Sequence, residues 1–335
     1  VIKMKCCLLG SGTWGSALAQ VLSDNSNEVI IYGRDVEEVS DINNNHQNKK
    51  YFGDKINLSS AIKATTDIAL AIKDSTIIVV AVPSIAYREV LLKIKPYIRN
   101  KPYIVSVAKG FDPTTLKRMS DVVREIIPSD MRQEVVSLIG PGHAEEVIVR
   151  KLTCITSTCV DLETAKYIQH VFSNNYLRVY AQVDEIGAEY GAAIKNTIAI
   201  AAGILQGLGM GDNAKAALVT RGLIEMIKLG TFFGGKEKTF LGLTGIGDLM
   251  VTCNSYFSRN FQAGLAIGKA NSAKEFLLKN TKTVEGIRTT EILYKIGREE
   301  NIELPIVNAI YDVLYQDVKP RDALDNLMKR KLKSE

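Results

Sequence analysis

Gly10-Ser11-Gly12-Thr13-Trp14-Gly15 constrains the fold of this chain more than any other segment. The six residues spell G-x-G-x-x-G. They follow an apolar run at residues 4–9 and open a helical pattern at residues 14–23. In that setting the first glycine permits a tight turn and the second lets the backbone approach a pyrophosphate. The third lets the helix pack closely on the strand, and the positive end of the helix faces the phosphates. A purely structural turn would also use glycine. The strand before and the helix after favour a dinucleotide.

The rest of the first half repeats the alternation. Residues 4–9, 28–32, 76–82, 103–108, 135–139 and 153–158 read as strands, rich in Val and Ile and nearly continuous in apolar character. Such runs suit strands buried on both faces. Helical patterns lie between them at 14–23, 85–94, 114–127 and 162–172, and Asn43-Asn44-Asn45 reads as a short polar loop. Strands and helices in alternation predict a mostly parallel sheet. From Asp184 onward no strand pattern is visible. Residues 185–208, 213–229, 261–269, 289–300 and 304–315 read as helices separated by glycine-rich joints. The expected architecture is α/β followed by all-α. A Rossmann-like domain occupies residues 1–183, and an all-helical substrate-binding and catalytic domain occupies 184–335.

With 335 residues, 46% hydrophobic and 24% charged, the chain has ample material for two packed cores. A net charge of +5 favours small anionic ligands and is too weak to argue for nucleic acid. The basic end, Lys329-Arg330-Lys331-Leu332-Lys333, reads as a solvated tail. Five cysteines without Cys-x-x-Cys spacing and three scattered histidines suggest reduced thiols and no metal site. No targeting pattern is read in Val1-Ile2-Lys3-Met4-Lys5, which favours the cytoplasm, and the apolar run at 76–82 is too short for membrane insertion.

Several residues carry candidate chemistry. After the second strand comes Gly33-Arg34-Asp35. Arg34 suits the 2′-phosphate of NADP(H), with NAD(H) tolerated; the alternative is an arginine in solvent. Lys109-Gly110 and Gly140-Pro141-Gly142-His143-Ala144 end two further strands, where ligands of open α/β sheets gather. Lys109 could touch substrate and cofactor or simply be solvated, and His143 reads more readily as a packing residue. Lys195-Asn196 lies within a helix of small and apolar residues. Tight packing there would desolvate Lys195 and lower its pKa towards the range useful for proton transfer; a lysine reaching solvent is the alternative. Asp248 follows a glycine-rich turn and could cap a helix, or orient a lysine or a substrate hydroxyl. Ser258-Arg259-Asn260 offers donors suited to a phosphate.

Taken together, these segments resemble the bacterial branch of the NAD(P)-dependent glycerol-3-phosphate dehydrogenase family. The resemblance spans nearly the whole chain. Its most specific blocks are Gly10-Ser11-Gly12-Thr13-Trp14-Gly15, Lys109-Gly110-Phe111, Gly140-Pro141, Ala193-Ile194-Lys195-Asn196-Thr197 and Ser258-Arg259-Asn260. By resemblance Lys195 donates and accepts the proton at the substrate oxygen. Positions matching cofactor contacts are those of the glycine-rich turn with Arg34, Lys109, Ala144, Arg259, Thr283 and Glu285. Those matching substrate contacts are Lys109, Gly140, Gly142, Lys195, Asn196, Asp248, Thr252, Ser258, Arg259 and Asn260. Where the family often has Ser after Gly-Pro, this chain has Gly142, so only backbone contact remains there.

The implied reaction interconverts dihydroxyacetone phosphate and sn-glycerol 3-phosphate, a precursor of phospholipids, with NADP(H) or NAD(H). A homodimer in the cytoplasm is the expected assembly. Two other readings stay open from residues alone: a dehydrogenase of a hydroxy acid or imine, and a non-catalytic dinucleotide sensor.

Overall fold

The computed structural model describes residues 3–332 and Ser334. Val1 and Ile2 of the starting segment and Lys333 of the basic tail lie outside the described residues.

Eight strands form one sheet: β1 (Lys5–Leu9), β2 (Glu28–Tyr32), β3 (Lys63–Thr65), β4 (Ile77–Val80), β5 (Tyr103–Ser106), β6 (Val135–Ile139), β7 (Thr153–Thr158) and β8 (Leu177–Gln182). Their spatial order is β3-β2-β1-β4-β5-β6-β7-β8. The pairs from β3 across to β6 are parallel; β7 runs antiparallel to β6 and β8 parallel to β7. The connection order reverses beside β1, between β2 and β4. In open α/β sheets the ligand crevice lies at the carboxyl ends of the strands at such a reversal.

Alternating burial explains the continuous apolar runs. In β1 the side chains of Cys6 and Leu8 join a core on one face, with Ala17, Leu18 and Val21 of the helix Thr13–Asp24. Cys7 and Leu9 join the opposite core, with Tyr87, Val90 and Leu91 of the helix Ser84–Ile94. Period-two alternation sends neighbours to opposite faces, and here both faces are covered. Each fully buried Leu or Ile contributes about 1.5–3 kcal/mol, so these two layers hold the sheet.

Three sequence expectations change. The sheet has two strands more than the six expected. The helix expected at 114–127 begins only at Met119. Leu116 has φ +58°, and Asp112 accepts hydrogen bonds from the backbone N–H of Thr115 at 3.2 Å and its hydroxyl at 2.5 Å. That local turn outcompetes the helix. The Asn43-Asn44-Asn45 segment is the end of a helix, Val36–Asn45, rather than a loop. Asn43 is fastened to the backbone of Ala64 by two bonds of 2.9 Å, as donor to its carbonyl and acceptor from its N–H.

The chain divides into two compact units that meet between Glu189 and Tyr190, inside the helix Glu185–Gly207. In the first unit, buried Glu189 accepts from the N–H and hydroxyl of Ser120 at 3.0 and 2.6 Å, from Ser137 at 3.1 Å and from Arg118 at 3.0 Å. Burial, reinforced by Glu185, pushes its carboxyl up to about 7.

No strand occurs among the described residues of the second unit. Its other helices are Gly211–Phe232, Glu237–Phe240, Asp248–Asn254, Arg259–Ala270, Lys274–Lys279, Glu285–Glu299, Pro305–Tyr315 and Pro320–Met328. The helix Glu185–Gly207 crosses Arg259–Ala270 backbone to backbone. A methyl group on Gly264 would lie 2.0 Å from the carbonyl oxygen of Ile200, and one on Gly203 2.1 Å from that of Phe261. This close crossing places Lys195 and Asn196 on one helix relative to Arg259 and Asn260 on the other. Gly264→Ala is therefore expected to destabilise the second unit by about 3 kcal/mol, the upper range for overpacking. Urea denaturation followed by far-UV circular dichroism reads this; an unchanged midpoint would show that the crossing relaxes freely.

Candidate active site

In the first unit the glycine-rich turn joins β1 to the helix Thr13–Asp24. Gly10 has φ +117°, and a Cβ there would meet the Ala81 carbonyl oxygen at 2.6 Å. At Gly15 a Cβ would lie 1.9 Å from the carbonyl oxygen of Gly10. Fold packing thus demands both glycines. Gly12 differs, since a Cβ there meets nothing within 4 Å. Gly12 is also the N-cap of the following helix, and no side chain caps that end. Open space beside an uncapped, positive helix start is a cradle for an anion, and it fits the pyrophosphate of a dinucleotide.

Ser11 is buried within the turn and Thr13 opens the helix. Trp14 is half-buried and packs on the core. Its ring also explains the room at Gly142. A Cβ there would lie 3.2 Å from Thr153 Cγ2 and 3.3 Å from Trp14 Cη2, so a serine would press both by a few tenths of an ångström. Lys109 follows β5 and donates from Nζ to the Gly140 carbonyl at 3.2 Å, tying the ends of β5 and β6 together. His143 precedes the short helix Ala144–Val147, whose first residue Ala144 is buried. Arg34 is exposed beyond β2, within electrostatic reach of Glu89.

In the second unit Lys195 is 4% exposed and does not reach solvent. Its ammonium donates to the carboxylate of Asp248 and, at 2.9 Å, to the hydroxyl of Thr252. Thr252 in turn donates to the Asp248 carbonyl at 2.5 Å. Asp248 is fully buried and is the first residue of the helix Asp248–Asn254, directly after a π-helical turn, Leu243–Gly247. Its carboxylate accepts from the Lys195 ammonium. Neither charge could be buried alone, and together they neutralise each other.

Asn196, next along, accepts from the amide of Asn260 at 3.0 Å, and the Asn260 oxygen accepts from Gly286 N–H at 2.8 Å. That chain ties the helix Arg259–Ala270 to the start of Glu285–Glu299. Ser258 is buried and caps its helix by accepting from Phe261 N–H at 3.2 Å. Arg259 and Thr283 are exposed, and Glu285 opens its helix half-buried.

Sequence reasoning missed a group beside the turn. Ser11 donates its hydroxyl to Glu38, and Glu38 also accepts from Lys50. Lys50 donates to Asp35 at 3.0 Å. Asn48 donates to the Ser11 carbonyl at 2.7 Å and to the Ser16 hydroxyl at 2.9 Å. These partners are 27 and 37 residues from Ser11, and no local spacing announces them.

A Rossmann-type unit with an open, uncapped glycine-rich helix start, followed in the chain by a helical unit holding a buried lysine–aspartate pair, defines a dinucleotide-dependent dehydrogenase. Comparison with known proteins narrows the class. The model of the NAD-dependent glycerol-3-phosphate dehydrogenase N-terminus matches residues 5–165, and that of its C-terminus matches residues 184–325. A glycerol-3-phosphate dehydrogenase [NAD(P)+] of Lysinibacillus sphaericus is 45% identical over 331 residues, covering 99% of this chain and 98% of that protein. One of Bacillus subtilis is 45% identical over 97% of this chain and 94% of that protein. The crystal structure of glycerol-3-phosphate dehydrogenase from Coxiella burnetii superposes with a TM-score of 0.91 at 32% identity, covering 98% of this chain and 99% of that one. The chain belongs to the NAD(P)-dependent glycerol-3-phosphate dehydrogenase family, as its sequence motifs imply.

Proposed function

We propose that this chain interconverts dihydroxyacetone phosphate and sn-glycerol 3-phosphate, with Lys195 as the proton donor and acceptor at the substrate oxygen. The observation that carries the assignment is the buried Lys195, held by Asp248 and Thr252. Bound NADPH or NADH supplies the hydride for C2 of the ketone. Gly10, Ser11, Gly12, Thr13, Trp14 and Gly15 would hold the dinucleotide, with Arg34, Lys109, Ala144, Arg259, Thr283 and Glu285 as further contacts. Lys109, Gly140, Asn196, Ser258, Arg259 and Asn260 are assigned to the substrate by their match to the family pattern, and Gly142, where the family often has Ser, by its backbone alone.

Lys195 can act in two ways. Its positive charge stabilises the oxygen of C2 as negative charge develops there, and its N–H delivers the proton. Asp248 holds the ammonium in place and supplies the counter-charge that permits its burial. Thr252 fixes its direction. Arg259 and Asn260 anchor the phosphate, so that binding energy remote from C2 orients the carbonyl.

Residues 1–183 are assigned to the cofactor and 184–335 to catalysis. We assign the enzyme to a homodimer in the cytoplasm, supplying the glycerol phosphate backbone of phospholipids. Family resemblance supports these last assignments.

The test is oxidation of NADPH or NADH with dihydroxyacetone phosphate, compared with unphosphorylated dihydroxyacetone. Turnover is expected only with the phosphate ester. Arg259→Ala is expected to lower kcat/KM for the ester by about 2–4 kcal/mol, chiefly through KM, once the ligand covers the guanidinium. Equal kcat/KM for ester and ketone would remove Arg259 and Asn260 as a phosphate anchor.

A further inference from the structure

We propose that Lys50 is a specificity-determining residue for the cofactor, moving its ammonium from Asp35 and Glu38 onto the 2′-phosphate of NADP(H). The inference rests on the dinucleotide use proposed above and adds a residue that the sequence motif does not contain.

In a Rossmann unit the adenosine ribose lies near the carboxyl end of the second strand, beside the glycine-rich turn. Asp35 caps the helix that follows β2, and Ser11 belongs to the turn. Hydrogen bonds run from Ser11 to Glu38, from Lys50 to Glu38, and from Lys50 to Asp35 at 3.0 Å. Lys50 therefore lies on the line of contacts between the two structures that flank a ribose.

An enzyme that prefers NAD(H) offers the ribose a carboxylate that accepts from the 2′-hydroxyl. Here Glu38 is 7% exposed, and its two oxygens are taken by protein donors, Oε2 by Ser11 and Oε1 by Lys50. With a protein donor on each oxygen and little exposure, it is poorly placed to read a hydroxyl as well. The Lys50 side chain, by contrast, is 55% exposed, so it is open to solvent as well as bonded to protein. An ammonium with three donors can release one carboxylate and bind phosphate without leaving the other.

Arg34, Asp35, Glu38 and Lys50 sum to zero by sign. A 2′-phosphate arriving beside two carboxylates gains only if both cations turn to it. Arg34 alone would leave Asp35 and Glu38 opposing the phosphate. Lys50 touches both of these carboxylates, so its movement rearranges the whole group.

The test measures kcat/KM for NADPH and for NADH with dihydroxyacetone phosphate in the parent, Lys50→Ala, Lys50→Gln and Lys50→Arg. Nucleotide affinity is followed in parallel by fluorescence of Trp14, the single tryptophan. Removing the charge is expected to lower the NADPH:NADH efficiency ratio by about tenfold, with the loss mirrored in NADPH affinity. Lys50→Arg should keep most of the ratio. A ratio that moves less than threefold in both Lys50→Ala and Lys50→Gln overturns the proposal. Such a result with parallel losses for both cofactors would mean that Lys50 only braces the turn through Glu38. A parent enzyme that oxidises neither cofactor with this substrate would instead overturn the underlying functional reading, and the binding ratio alone would then decide the role of Lys50.

Discussion

Lys195→Met is expected to lower kcat, at saturating substrate and cofactor, by about a hundred- to ten-thousand-fold, the usual contribution of a general acid. Loss of positive charge beside the developing alkoxide adds to the deficit. The fall should appear in kcat, because the interaction strengthens as charge develops on the substrate oxygen. Methionine keeps the approximate shape of the lysine stem, so the surrounding helix packing should survive. The buried partner raises a second effect. Asp248 is fully buried and loses its ammonium, and breaking one side of such a pair costs about 3–5 kcal/mol. The single variant is therefore expected to be less stable as well as inactive. The double variant Lys195→Met/Asp248→Asn separates the two effects. Removing the stranded charge should restore much of the stability and none of the turnover. Thermal denaturation and single-turnover kinetics on both proteins make the comparison. A kcat within about threefold of the parent would move the proton-transfer role elsewhere, with Lys109 the next candidate.

The cores were legible wherever local pattern and tertiary environment agree. Strands β1, β4, β5 and β6 are covered on both faces, and continuous apolar runs report that directly. Strand β8 gives no continuous apolar run because it alternates. Leu177 and Val179 are buried while Arg178 and Tyr180 are exposed, as suits an edge strand covered on one face. Strand β3 has only Lys63, Ala64 and Thr65, too few residues for any period to show.

The site divides in the same way. The glycine-rich turn is a local device, and its sequence states its own geometry. The small residues around Lys195 announce a tightly packed helix, and the structure buries the lysine there. Its partner could not be read with the same certainty. Asp248 lies 53 residues away, and only the folding of two helices and a π-helical turn brings it to Lys195. Glu38 and Lys50 are hidden for the same reason. Each looks like an ordinary surface charge until the chain returns past the turn.

Asp248→Asn isolates what the carboxylate does for the lysine. Asparagine keeps the size and an oxygen acceptor, so packing at this fully buried position changes little. Its charge is gone, and Lys195 at 4% exposure is left in a poorly hydrated place without a counter-ion. Desolvation then favours the neutral amine over the ammonium. A neutral amine neither stabilises the developing alkoxide nor supplies the proton as readily. Ketone reduction near neutral pH is expected to fall by about a hundredfold or more, comparable to removing a preorganised donor from a developing oxyanion. The direction of the pH response is the sharper measurement. Reduction needs the protonated lysine, so the variant's rate should climb as pH is lowered and the amine regains its proton. Glycerol 3-phosphate oxidation needs the neutral lysine as base, so the variant should lose less in that direction. If Asp248 instead served only to shape the helix start, kcat of the variant relative to the parent would fall by the same factor in both directions, and that factor would not depend on pH. Rates in both directions across the pH range over which the folded variant is stable distinguish the two roles.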